Sequence, residues 1–209
     1  MLAMAVKGAF LSGSLIVAIG SQNAFLLKSG LKNNHVMLVA TICFIGDILM
    51  ISTGILGVGA LLEQAPMWRD ALTLAGIAFL CWYGFLSAKS AWKGQSHLDV
   101  DSGDVNRSWM AVAMMTLAMT FLNPHVYIDT IVVLGGVTSS LTFDEKKWFL
   151  LGSLTASAVW FYGVAYIAKK LIPVFAKPVT WRVLDTVIAL VMFGIALSLI
   201  KPLLEANLV

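Results

Sequence analysis

Two carboxylates, Asp47 and Asp129, stand inside long apolar runs, where an acid costs about 2.5–3.5 kcal/mol to insert into a bilayer. No Lys or Arg lies at comparable depth in those runs. Such an acid is held as a protonated group, as a carboxylate hydrogen-bonded in a wet cavity, or as a carboxylate awaiting a cation from outside. Each also has a local alternative, capping a broken helix or bonding a neighbouring hydroxyl such as Tyr127 or Thr130. Asn123-Pro124 interrupts the run that carries Asp129. Proline lacks an amide donor and its ring disrupts the preceding turn, so the spacing predicts a discontinuous helix. Amides and carbonyls freed at such a break can contact a polar solute in mid-membrane, half-helix N-termini favouring carboxylates and the opposite ends favouring cations. The polar cluster Gly20-Ser21-Gln22-Asn23 is a candidate second break in the first apolar run. His125, beside Pro124, is a candidate proton relay or a hydrogen-bonded structural histidine.

The elements that must position these residues follow from composition. Of 209 residues, 59% are hydrophobic and 12% charged, and the mean hydropathy is +0.89. Soluble domains carry about twice that share of charge. A secreted disulfide scaffold, a nucleic-acid-binding module and a disordered chain are excluded, and a polytopic all-α membrane protein is predicted. Six apolar runs stand between the charges, at 8–27, 36–62, 71–88, 109–138, 148–168 and 183–200. Their length suits helices, because membrane β-strands need only about ten residues. Five further runs favour a retained first helix over a cleaved signal peptide, although Lys7 precedes the first run. Trp68, Trp92, Trp109, Trp148 and Trp181 lie at run ends, as interfacial indoles do, while Trp82 and Trp160 lie deeper and read as packing or cavity residues.

The polar stretch 89–108 divides three runs from three. It predicts a first three-helix unit over 1–95, a linker over 96–108 and a second unit over 109–209. Asp99, Asp101 and Asp104 resemble a calcium loop only loosely, since Gly103 is misplaced and the closing Glu is absent. No metal or cofactor is expected. Cys43 and Cys81 fall inside apolar runs and read as packing residues. Gly46, Gly54 and Gly57 in the second run, with Ser153, Ala156, Ser157 and Gly163 in the fifth, read as small residues for close helix packing.

Counted over alternate connections, nine cations (Lys28, Lys32, Lys89, Lys93, Arg107, Lys169, Lys170, Lys177 and Arg182) fall on one side and five on the other. The positive-inside rule places the side with nine in the cytoplasm and both termini outside. A faint internal similarity sets Gly20-Ser21-Gln22-Asn23-Ala24-Phe25 against Asn123-Pro124-His125-Val126-Tyr127, 103 residues on, and Trp82-Tyr83-Gly84 against Met192-Phe193-Gly194, 110 residues on. With three runs per half, the second copy inserts upside down, as in the inverted repeats of secondary transporters.

These residues resemble the lysine/arginine exporters, the LysE family with its ArgO branch. The likeness runs over nearly the whole chain and is most specific at Leu122-Asn123-Pro124-His125-Val126-Tyr127-Ile128-Asp129-Thr130, with Gly46-Asp47 and Trp82-Tyr83-Gly84-Phe85 in support. One departure is Ser21, where the family pattern has Pro after the first Gly. The resemblance implies a bacterial inner-membrane protein with six hydrophobic segments that exports basic amino acids on ion gradients, and it carries the family role onto Asp47, Asn123, Pro124 and Asp129. Under that reading, Asp47 and Asp129 face one cavity, binding the substrate cation in one orientation and protons in the other. Asn23 and the amides around Ser21 and Asn123 hold the α-carboxylate and α-amine, and Gln22 and Tyr127 complete the expected contacts. The partners are then a basic amino acid, protons and the lipid bilayer, without nucleic acid, and a homo-oligomer is compatible with this reading.

Two alternatives stand beside it. Neutral amino acids or other small amines are the cargo of related branches. Paired intramembrane aspartates also hydrolyse peptides, one acid activating water. However, Phe44-Ile45-Gly46-Asp47 lacks the first glycine of the Gly-x-Gly-Asp pattern of such proteases, and Tyr127-Ile128-Asp129 separates a Tyr and an Asp that they place together. An enzyme is therefore not expected.

Overall fold

Apolar segments that leave water must satisfy their backbone amides internally, and every regular element among the described residues is helical. The computed structural model describes residues 1–17, 20–57, 66–93, 108–172 and 177–206, with the side chains of 66–72, 124, 125, 128, 132, 178 and 201–206 outside that description. In chain order the elements are α1 (Leu2–Ile16), α2 (Ser21–Leu31), α3 (Val36–Ile55), α4 (Pro66–Lys93), α5 (Trp109–Phe121) and α6 (Pro124–Tyr127). A π-helical segment (Ile128–Leu134) then runs into α7 (Gly135–Thr138), followed by α8 (Phe143–Leu171) and α9 (Pro178–Ala206).

Four helices, α3, α4, α8 and α9, are long and apolar enough to cross a membrane. The pair α1 and α2, bent by 77°, makes a fifth if counted as one span. The expected run 109–138 is not a continuous helix. It is divided at Leu122-Asn123 and again by the change from α to π winding, so its pieces are each too short to span alone. The expected break at Asn123-Pro124 is thus present, with Pro124 as the first residue of α6, where its missing amide is harmless. The first run is broken too, although Ser21 replaces the family proline. Gly20, in extended conformation, ends the connection and Ser21 opens α2.

Several helices outrun the apolar windows that predicted them, because their charged ends continue the winding. In α8, Thr142 and Glu145 form a reciprocal capping box, Asp144 and Glu145 occupy the first turn, and Lys169 and Lys170 the last. This charge order complements the helix dipole. Lys89 and Lys93, expected in the linker, belong to α4. His97, Asp99, Asp101 and Asp104 lie outside the described residues.

α1 and α3 both pack on α8, α3 also meets α5 and the π segment, and α4 packs along α9. Glycine sets the closest approaches. A Cβ at Gly152 would strike the Ala5 carbonyl, and one at Gly54 the Thr130 carbonyl. Gly46 likewise faces Thr120, whereas Gly163 meets nothing and Gly57, at φ +84°, serves a turn instead. The core holds Leu26, Val39, Cys43, Leu80, Met119, Phe161 and Met192. Outside it, Leu49, Phe85, Val159, Leu190 and Leu197 lie exposed along the helices, an apolar surface suited to lipid. Trp92 and Trp109 are exposed as interfacial rings should be, but Trp181 is buried, its ring beneath the Lys32 ammonium.

Candidate functional site

The two helix breaks meet. Gly20 provides no side-chain cap, so the first-turn amides of α2 have no partner within their own helix. Asn123, between α5 and α6, is buried and donates from Nδ2 to Ser21 Oγ at 3.3 Å, and Ser21 Oγ donates to the Met119 carbonyl at 3.4 Å. Polar groups 102 residues apart are thereby tied together. Asn23 reaches back across the first break, donating from Nδ2 to the Ile16 carbonyl at 2.6 Å, while its Oδ1 accepts from Trp160 Nε1 at 3.0 Å. Asn23 therefore satisfies one of the carbonyls that the end of α1 leaves open.

Both acids open onto the space beside these breaks. Asp47, on α3 and 5% exposed, accepts a 2.7 Å hydrogen bond from Ser157 of α8. Asp129 lies in the first turn of the π segment and is partly buried. They line one cavity of about 200 Å³, together with Ser12, Gly20, Gln22, Asn23, Asn123 and Thr130. That volume is far above the ~10–15 Å³ that admits a single water. Apolar walls come from Leu15, Ile16, Ile51, Leu134, Phe161 and Ile195. Such a chamber, with acids on two elements and open amides at a third, can hold a small zwitterion carrying an additional positive charge.

The expected site residues divide into three groups. Asp47, Asp129, Asn23, Asn123 and Gln22 line the cavity. Ser21 sits behind the wall as the acceptor for Asn123, and Tyr127 is turned to α5, where its hydroxyl donates to the Phe121 carbonyl at 2.9 Å. Tyr127 thus caps a broken helix rather than lining the cavity. The His125 side chain lies outside the described residues. Sequence reasoning missed Ser12 altogether and read Ser157 as a packing residue. It also passed over Asp185, fully buried near the start of α9, which pairs with Lys28 at 2.5 Å and accepts from Ser90 at 2.7 Å. Asp185 stands three residues from Arg182 at the end of an apolar run, where a charge ordinarily meets headgroups.

Residues 13–202 match the family model described as LysE type translocator. The chain belongs to that family. Among curated relatives of this LysE-type chain are proteins named Arginine exporter protein ArgO. The one from Pectobacterium atrosepticum is 39% identical over 203 residues, covering 96% of this chain and 98% of its own. The one from Serratia proteamaculans is 40% identical over 199 residues, covering 95% and 97%. The one from Yersinia enterocolitica is 38% identical over 201 residues, covering 96% and 98%. No solved structure matches. A LysE-type chain is a transporter rather than an enzyme, and with its long apolar helices this one is a multi-pass protein of the bacterial inner membrane.

Proposed function

We propose that this LysE-type translocator exports a basic amino acid, arginine foremost, in exchange for protons. The observation that carries the reading is that Asp47 and Asp129 line a single cavity where the two helix breaks meet. A guanidinium or ammonium in this cavity supplies positive charge to Asp47, whose hydrogen-bond partner is a neutral hydroxyl, beside Asp129 on the same lining, and in its absence a proton can neutralise Asp47. The full-length likeness to proteins named arginine exporters supports arginine over lysine.

Six segments in two inverted three-helix units, 1–95 and 109–209 joined by 96–108, give this cavity its frame. The reciprocal packing supports the duplication: α3 lies against α5 and α8 against α1, α3 meets α8, and α4 meets α9. Asp47 and Ser157, bonded to each other, are 110 residues apart, the same offset that relates Trp82 to Met192. Equivalent positions touch when they flank a two-fold axis. For orientation, Lys28 on α2, Ser90 on α4 and Asp185 on α9 are joined at one end of the bundle, which is the cation-rich end assigned to the cytoplasm.

Energetics limit the coupling. A basic amino acid carries a net +1, so its exit against an inside-negative potential costs about 2.3 kcal/mol per 100 mV. One inward proton cancels that charge and leaves only the pH gradient as driving force. Two protons would also draw on the potential, and two acids permit either count. The test loads cells with arginine-, lysine-, threonine- or leucine-containing dipeptides and follows efflux of each amino acid with and without this chain. Arginine and lysine efflux, collapsing with the pH gradient, is expected; equal efflux of leucine or threonine would overturn basic specificity.

A further inference from the structure

Three buried side-chain atoms among the described residues have no hydrogen-bond partner: Ser12 Oγ, Gln22 Nε2 and Asn34 Oδ1. The first two belong to residues that line the cavity. Ser12 is 1% exposed and Gln22 9%. Buried polar groups are almost always paired, and an unmade bond at a buried donor is unfavourable enough to need a reason. The side chain beside Gln22 is the Cys43 thiol, only a weak acceptor for an amide donor.

The position of Gln22 supplies the reason. It is the second residue of α2, an eleven-residue helix whose N-cap, Gly20, contributes no side-chain bond. The first-turn N–H groups of such a helix point outward with the positive end of its dipole, which favours an anion. Gln22 Nε2 and Ser12 Oγ, buried donors of two residues that line the same cavity, add to these amides. Asp47 and Asp129 serve the opposite sign of charge on α3 and the π segment.

We propose that Ser12, Gln22 and the first-turn amides of α2 form a subsite for the substrate's α-carboxylate, so that the cavity accepts a cation only when it carries a carboxylate. This rests on the basic amino-acid reading and extends it. The α-ammonium falls toward the carbonyl end of α1, where Leu15 and Ile16 line the same cavity. Decarboxylated amines, which carry the same cationic side chain, are excluded because they would leave these donors unpaired.

The test measures equilibrium binding to the full chain in lipid nanodiscs, with L-arginine, with agmatine (arginine lacking its carboxylate) and with L-norleucine (a carboxylate without the side-chain cation). The wild type is expected to bind arginine roughly 10- to 100-fold more tightly than agmatine, the span expected for charge-assisted hydrogen bonds. The Ser12→Ala, Gln22→Leu double variant should bring that ratio close to one by weakening arginine alone, with retained agmatine binding reporting an intact fold and acid pole. The near-isosteric Gln22→Glu should invert the preference, rejecting arginine and holding agmatine. Equal binding of arginine and agmatine by the wild type, or a ratio that neither variant changes, would overturn the carboxylate subsite while leaving basic specificity intact. Norleucine bound as tightly as arginine, with agmatine rejected, would instead sink basic specificity and keep the subsite.

Discussion

Asp47, in the middle of α3, and Asp185, near the start of α9, are equally withdrawn from solvent, at 5% and 0% exposure. Their surroundings differ in kind. Asp185 meets the ammonium of Lys28 and the hydroxyl of Ser90, so that one carboxylate ties α9 to α2 and α4. Asp47 meets a neutral hydroxyl, that of Ser157, and among the described residues no Lys or Arg pairs with it. It also lines a cavity that Asp185 does not. A buried carboxylate whose charge the fold itself compensates can hold helices together. One compensated only by a hydroxyl needs a proton or a visiting cation, and the cavity gives both a place to bind. Burial alone therefore does not distinguish an acid that ties helices together from one that opens onto a cavity; the sign and permanence of the partner do.

The sharpest way to break this comparison is to neutralise each acid without changing its shape. Asp47→Asn should reduce arginine export to the level of cells lacking the protein, a loss of more than about 100-fold if the substrate's charge-assisted contact is removed, and Asp129→Asn should do the same. Both variants should reach the membrane, and Asp47→Asn should keep the wild-type melting temperature in detergent, because Asp47 is held by a neutral hydroxyl that an amide oxygen can still accept from. Full export by either variant would contradict the assignment.

Asp185→Asn should behave the other way round. It strips Lys28, 17% exposed, of its carboxylate partner and leaves an ammonium among apolar helices. Breaking a fully buried pair costs about 3–5 kcal/mol, an upper bound here because Lys28 can still reach water or headgroups with its flexible stem. The expected result is less folded protein and a lower melting temperature, with export per folded molecule retained. Lys28→Met combined with Asp185→Asn should lose less than the two single losses added together, since removing both ends leaves neither charge stranded. Additive losses would show that the bridge is not what holds α2 to α9.

Much of this contrast was legible in the sequence, and the missing part has a common physical cause. Asp47, Asp129 and the Asn123-Pro124 break could be read directly, because an acid or a proline inside an apolar run contradicts its surroundings locally. The break before Ser21 was readable as a polar cluster even without proline. The partners were not readable. Ser157 lies 110 residues from Asp47, and Lys28 lies 157 from Asp185; nothing in the spacing of a serine on an apolar helix distinguishes a donor to an acid from a filler. The π winding of Ile128–Leu134, which places Asp129 in its first turn, has no side-chain signature either. π segments often mark functional sites, yet only the folded backbone reveals this one.

The smallest expected effect belongs to Ser157, and it tests how Asp47 is held rather than whether it is needed. Ser157 is fully buried and its Oγ donates at 2.7 Å to Asp47 Oδ2. Removing a donor usually leaves a buried acceptor stranded, but this acceptor faces a cavity where water can take the place of the hydroxyl. Ser157→Ala should therefore change stability by no more than about 1 kcal/mol. What it should lose is orientation, since a carboxylate fixed by one good donor presents its other oxygen to the cavity in a defined direction, whereas a solvated one swings. Loss of positioning falls on arginine affinity, by about 3- to 10-fold, the range of one neutral donor, with the maximal export rate retained. Ser157→Thr, which keeps the hydroxyl, should restore affinity if the methyl group is accommodated. Export at wild-type affinity in Ser157→Ala would mean that Asp47 is positioned by the cavity's contents alone, and the distinction from Asp185 would then rest on the absence of a fixed cation and nothing more.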